Sequence, residues 1–230
     1  MPGFGPEEDQ MPSLDVKICG LSTPESVKTA LAGGATHVGF IFFAKSPRNV
    51  TPDEAMRLAE IARGRAKIVA VTVNAADSFL DGIVRTVRPD MLQLHGTEPP
   101  ERVAAVRARY GLPVIKAFAV RDSSDLDALK RYFGIADRFL LDAKPPEGAQ
   151  LPGGNGVAFD WSLLDGLDPR IPYMLSGGVN RSNLRAALTQ ARPAGIDVSS
   201  GLEKAPGVKD EGLIREFLDE VRRIESEVAA

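Results

Sequence analysis

The chain holds a single cysteine, Cys19, at the end of its first strand-like run, Val16-Lys17-Ile18-Cys19-Gly20. A turn glycine and a helix start at Ser22-Thr23-Pro24-Glu25 follow it. The sulfur therefore falls at the carboxyl end of a strand, where α/β proteins bind ligands. A thiolate there can act as a base or a nucleophile; the other reading is a small buried hydrophobe. A free thiol titrates at about 8.5, and a modest downward shift makes it a competent base near neutral pH. Asp142, after Leu140-Leu141, is the acid to pair with it. A carboxyl group partly buried above an apolar barrel keeps its proton more readily and can deliver it. One proton removed and one delivered suits an isomerisation, which needs neither a redox cofactor nor a metal. Asp142 alone also reads as a helix or loop cap.

Three glycine-rich turns fall in the last third: Gly153-Gly154-Asn155-Gly156, Ser176-Gly177-Gly178 and Ser199-Ser200-Gly201. Glycine lets backbone approach an anion, and successive N–H groups form an anion-holding nest. The three together on one rim point to phosphate, held mostly by backbone amides because no lysine or arginine sits inside them. Singly, each reads as a tight turn. Arg48, in a loop opened by Ser46-Pro47, is suited to a planar carboxylate, or is a surface arginine. Asp197, inside the run Ile196-Asp197-Val198, must be paired or touch ligand. His95 is either a polariser or a satisfied rim histidine. His37 opens the second strand at the opposite rim and receives no role.

The elements that must position these groups alternate. Strand-like runs fall at residues 16–19, 37–42, 67–73, 91–94, 114–118, 138–141, 173–175 and 196–198. Helical periodicity fills residues 25–32, 52–62, 77–87, 100–109, 122–132, 180–190 and 209–228, with a short helix near 160–164 carrying Trp161. Alternation of this kind implies right-handed crossovers and a parallel sheet. Eight units predict one α/β domain, a closed eightfold (βα) TIM barrel of the phosphate-binding type, with its site on the carboxyl-end loops. An open doubly wound sheet would show a Gly-rich fingerprint after the first strand, and only Gly20 stands there. The domain is expected over residues 14–230, preceded by a flexible N-terminal extension over residues 1–13.

Composition excludes several classes. Net charge is −3 with both signs scattered, so no basic block suggests nucleic acid. No apolar run reaches the roughly 18 residues of a membrane span. One cysteine fits a reducing, cytoplasmic setting. Two histidines make a histidine-rich metal centre a poor reading. Monomer and homodimer both remain open.

The matching stretches together resemble the phosphoribosylanthranilate isomerases of tryptophan biosynthesis. They are Lys17-Ile18-Cys19-Gly20, Val38-Gly39-Phe40-Ile41-Phe42 with Ser46-Pro47-Arg48, Leu92-Gln93-Leu94-His95-Gly96, Leu140-Leu141-Asp142 and Phe159-Asp160-Trp161. Leu175-Ser176-Gly177-Gly178-Val179-Asn180 and Ile196-Asp197-Val198-Ser199-Ser200-Gly201-Leu202-Glu203 complete them, followed by Pro206-Gly207-Val208-Lys209-Asp210. The resemblance runs from about Val16 to the C-terminus. It implies an eightfold barrel and an Amadori rearrangement of a small phosphoribosyl substrate without cofactor. Asp142 takes the general-acid position and Cys19 the general-base position. Arg48 and Asp197 match positions that contact the anthranilate part, and the glycine turns match a phosphate cradle. Asn155 stands where a small hydroxyl residue is usual, and Thr72 where a bulkier apolar one is common. A rival pentose-phosphate 3-epimerase would want several histidines and carboxylates around a metal. An aminoimidazole-carboxamide ribotide isomerase would want an aspartate in place of Cys19. A catalytically silent barrel that binds a phosphorylated metabolite is the reading from outside the enzymes.

Overall fold

Runs rich in Val, Ile, Leu and Phe become strands because β-branched and aromatic side chains pack well on a pleated surface. A computed structural model describes residues 14–144, 153, 159–168 and 171–228. In it the strands β1 (Asp15–Cys19), β2 (His37–Phe42), β3 (Lys67–Thr72) and β4 (Met91–Leu94) are followed by β5 (Val114–Val120), β6 (Arg138–Ala143), β7 (Tyr173–Leu175) and β8 (Gly195–Val198). They close in that order into a parallel barrel, β1 pairing with both β2 and β8. Helices α1 (Pro24–Ala32), α2 (Pro52–Ala62), α3 (Asp77–Val87), α4 (Pro100–Tyr110), α5 (Ser123–Asp127), α6 (Leu184–Ala191) and α7 (Glu211–Val228) are distributed among the connections and the C-terminus. The expected extension over residues 1–13 lies outside the described residues.

Alternation along the strands builds two concentric cores. Inside the barrel, Val69, Val71, Met91, Ile115, Ala117, Leu140 and Met174 pack with Cys19. Between barrel and helices lies the larger cluster, to which Trp161 belongs. Helix starts follow local chemistry: Thr51 and Glu54 form a capping box on α2, and Pro24, Pro52 and Pro100 each stand in a first helical turn.

Three local expectations are corrected. The fifth helix is α5 followed by a 3-10 turn over Ala128–Tyr132. Its buried residues are Leu129 and Tyr132, three apart, the spacing that 3-10 geometry stacks on one side. Helix α6 starts at Leu184 rather than residue 180. The amides of Asn180 and Asn183 both donate to Gly178 O, and Asn180 Oδ1 accepts from Ser182 N, so side chains take up the backbone groups a first turn would use. Third, residue 209, expected to open the last helix, lies in a hairpin of β9 (Glu203–Ala205) and β10 (Val208–Lys209) that follows β8, turning at Pro206-Gly207 where Gly207 has φ +81°, and α7 starts at Glu211. Asp142 lies within β6, one residue before its end.

Candidate active site

A cavity opens at the carboxyl ends of the strands, where barrel enzymes place their sites. Cys19 enters it from β1, Asp142 from β6 and Asp197 from β8. Ile41, Val71 and Val73 supply apolar wall. Gly177, Gly178, Ser199 and Ser200 form the opposite lip, on the β7 and β8 loops. Gly177 and Gly178 adopt φ +80° and +67°, conformations that admit glycine readily. A Cβ on Gly177 would lie 2.3 Å from Ala143 N and 2.9 Å from Asp142 Oδ1, so the turn packs directly on the acid. Ser176 lines the cavity too, whereas Gly201 sits behind it, its would-be Cβ 2.6 Å from Val179 O. Gly153 lies over the acid: a Cβ there would come within 2.4 Å of Asp142 Oδ2 and 2.7 Å of His95 Nε2. Gly154, Asn155 and Gly156 fall outside the described residues.

Asp142 is 4% exposed and His95 Nε2 stands 3.3 Å from its Oδ2. The far ring nitrogen, Nδ1, is 2.9 Å from the Gln93 amide nitrogen. The tautomer that satisfies both contacts accepts at Nδ1 and points Nε2–H at the carboxyl group. Gln93 was quoted in the sequence without a role; being two residues before His95, it shares the inner face.

Across the cavity Cys19 sits over a buried cation. Lys17 is two residues earlier on β1 and fully buried, and its Nζ donates to Asp197 Oδ1 at 2.8 Å. The register places Lys17 directly opposite Asp197 on β8. Asp197 Oδ2 accepts from Ser176 Oγ at 3.4 Å. Burial pulls the lysine down, but Asp197 and the neighbouring Cys19 outweigh it and hold the ammonium above its ordinary value. The expected lowering of the thiol is corrected. Burial pushes Cys19 up, Lys17 pulls it down, Asp197 pushes it up again, and the net direction is upward. The sulfur lies deep enough for desolvation to prevail, with Cys19 only 5% exposed.

Arg48 is buried at the mouth and held edge-on by Glu203, Nε to Oε1 at 2.7 Å and Nη2 to Oε2 at 2.9 Å. Its stem lies on Gly20, where a Cβ would come within 2.7 Å of Arg48 Cδ. Lys209 Nζ donates to Glu203 Oε1 at 2.7 Å and to Ser199 O at 2.9 Å, tying the hairpin to the β8 loop. Burial alone would raise Glu203; Arg48 and Lys209 hold it below its ordinary value. Sequence reasoning assigned nothing to Lys17, Glu203 or Lys209. The i, i+2 relation to Cys19 was the signal for Lys17, and the Pro-Gly turn was the signal for the hairpin. Thr72 alternates with the cavity-lining Val71 and Val73, so it faces away from the site. Among the described residues no group of three or more His, Cys, Asp or Glu could hold a metal ion. Among them, too, no helix is long and apolar enough to cross a membrane.

The family model for N-(5'-phosphoribosyl)anthranilate (PRA) isomerase matches residues 16–220. An N-(5'-phosphoribosyl)anthranilate isomerase of Mesorhizobium japonicum is 62% identical over 218 residues, covering 95% of this chain and all of that protein. One from Rhizobium rhizogenes is 63% identical over 207 residues, covering 90% of this chain and 93% of that one. The crystal structure of phosphoribosyl anthranilate isomerase from Thermotoga maritima superposes with a TM-score of 0.82 at 34% identity, covering 91% of this chain and 99% of that one. A crystal structure of the isomerase in complex with reduced 1-(o-carboxyphenylamino)-1-deoxyribulose 5-phosphate gives 0.80 at 33% identity, with the same coverage of 91% and 99%. A barrel closed in the same way and a match along nearly its whole length place the chain in the N-(5'-phosphoribosyl)anthranilate isomerase family.

Proposed function

We propose that the cavity catalyses the Amadori rearrangement of N-(5-phosphoribosyl)anthranilate to 1-(2-carboxyphenylamino)-1-deoxyribulose 5-phosphate, a step of tryptophan biosynthesis. The observation that carries this reading is that Cys19 and Asp142, from non-adjacent strands, open onto one cavity whose lip is built of the glycine and serine turns after β7 and β8. Barrels commonly hold phosphate at those turns. With the phosphate there, the sugar lies between thiol and carboxyl.

Asp142 delivers its proton to the furanose ring oxygen, the C1–O bond breaks, and the open chain is a Schiff base. His95 Nε2–H donates to the carboxylate that remains. Cys19, as thiolate, takes the proton from C2 and leaves an enolamine, which becomes the ketone as C1 gains a proton and the C2 hydroxyl loses one. Each exchange uses only proton donors and acceptors. Arg48, braced by Glu203 along one edge, orients the anthranilate carboxylate. Asp197 Oδ2, with its long contact to Ser176, meets a polar group of the substrate at the cavity floor. A chain with one cysteine forms no internal disulfide, which supports a cytoplasmic setting.

Turnover is followed by the fall in fluorescence as the phosphoribosyl conjugate of anthranilate is consumed. Purified protein supplied with that conjugate is expected to quench the emission catalytically, and a chelator to leave the rate unchanged. No turnover would overturn the assignment, and a large loss on chelation would favour a metal-dependent epimerase.

A further inference from the structure

Lys17 is a fully buried charge that the acid–base scheme above does not use. A lysine inside a barrel core is costly unless its charge is compensated. Three features define its surroundings. It stands two residues before Cys19 on β1, so both side chains point inward. Its Nζ is anchored by Asp197 Oδ1 across the seam where β1 meets β8, in direct register. The neighbour of Cys19 on β2 is Gly39, and a Cβ there would lie 3.0 Å from Cys19 Sγ and 3.1 Å from Lys17 Nζ. Glycine at 39 thus leaves one small gap bordered by both sulfur and ammonium. An ammonium has three donors; one goes to Asp197, and the Cys19 sulfur borders the same gap as the nitrogen.

We propose that Lys17 is the counter-charge of the Cys19 thiolate, a positioning residue clamped by Asp197 that keeps the sulfur able to take the substrate proton. This rests on reading Cys19 as the base. When the thiolate takes the proton and becomes a thiol, Lys17 remains an ammonium and its charge is still matched by Asp197, so the site stays charged on one carboxylate and one amine throughout. The other charged groups lining the sulfur's cavity are Arg48, tied to Glu203, and Asp142 with His95 on the far wall; Lys209 shares the Glu203 carboxylate with Arg48. From β3, β5 and β7 the inner layer is Val69, Val71, Ile115, Ala117 and Met174, which carry no charge. Lys17 opposes the burial of the thiol more strongly than Lys209 does.

Because the chain has one cysteine, alkylation or thiolate absorbance reports Cys19 alone. In Lys17→Gln the thiol is expected to titrate higher by about one pH unit or more. The low-pH limb of kcat/KM should move up with it, so that activity lost at neutral pH is partly regained in alkali. A purely structural role would lower the rate at every pH and leave the thiol titration where it was; that result overturns the proposal. Should Lys17→Gln fail to fold, the unaltered protein decides. The 15N signal of the Lys17 ammonium is expected to shift as Cys19 titrates and to lose that step in Cys19→Ser. A Lys17 signal indifferent to the thiol overturns the proposal equally. Full turnover by Cys19→Ser would instead defeat the base assignment, whatever the thiol titration shows.

Discussion

Lys17 and Lys116 both have side chains withdrawn from solvent, 0% and 3% exposed, and each meets a carboxylate, at 2.8 and 3.0 Å. Their surroundings differ. Lys116 alternates with the inward-facing Ile115 and Ala117, so it lies on the outer face of β5. There its Nζ donates to Leu94 O, Gly96 O, Ala117 O and Glu98 Oε2. Glu98 in turn accepts from the backbone N–H groups of Asn74 and Gly96. That ammonium is saturated by groups of β4, the loop after it and β5, and works as a strut that fixes the turn after His95. Lys17 faces inward, bonded to one carboxylate and bordering the same gap as the Cys19 sulfur. Burial lowers Lys116 despite Glu98, whereas Asp197 and Cys19 together raise Lys17. Two buried lysines of similar exposure therefore differ in function by the company of their nitrogens. Saturation with carbonyl oxygens marks a structural role, and a shared thiol marks one tied to chemistry.

The largest effect should come from breaking the strut. Lys116→Met strands the Glu98 carboxylate and is expected to cost about 3–5 kcal/mol of unfolding free energy, read by denaturant melts, while the Cys19 titration of any folded fraction stays put. A shifted thiol would erase the distinction between the two lysines. Next comes the amino-end layer beneath Lys17, where His37 is its register neighbour on β2. His37 is buried and pushed down to about 4, chiefly by desolvation. Its neutral form is favoured in the fold while the unfolded chain takes up a proton near 6.5. The stability it contributes is complete above about pH 6.5 and is lost as pH falls through about 4, at most about 3 kcal/mol. His37→Gln should flatten that part of the stability–pH curve without moving the activity profile.

Glu203→Gln releases the brace on Arg48 and Lys209 and is expected to raise KM by about tenfold, near 1.4 kcal/mol, with kcat less affected. An unchanged KM would detach Arg48 from substrate orientation. The smallest effect belongs to Gly153→Ala, whose methyl would press on Asp142 and His95. A fall in kcat of a few-fold to about tenfold with unchanged melting is expected from displacing the loop.

Most of the barrel was legible because its strands are short β-branched runs and its helices carry cap signals such as Thr51-Pro52. What escaped had a competing local interaction. Asn180 and Asn183 bind Gly178 O and delay α6, and the Glu203–Lys209 hairpin hides in a polar stretch with no alternating apolar pattern. In the site, Cys19 and Asp142 could be read from their places at strand ends. The β1 sequence also encodes an inward column of Asp15, Lys17 and Cys19 by simple alternation, but lysine reads as a surface residue until a register partner such as Asp197 is known. Glu203 needed the hairpin to bring it to Arg48.

In the proposed reaction the work of base and acid on one bound sugar falls to Cys19 and Asp142. Single-turnover decay of substrate fluorescence, with wild type, Cys19→Ser and Asp142→Asn side by side, tests it most directly, with binding of the reduced product analogue as the control. Both variants should bind the analogue nearly as wild type does and lose turnover by about three orders of magnitude. Near-normal decay in either would contradict the role given to that residue.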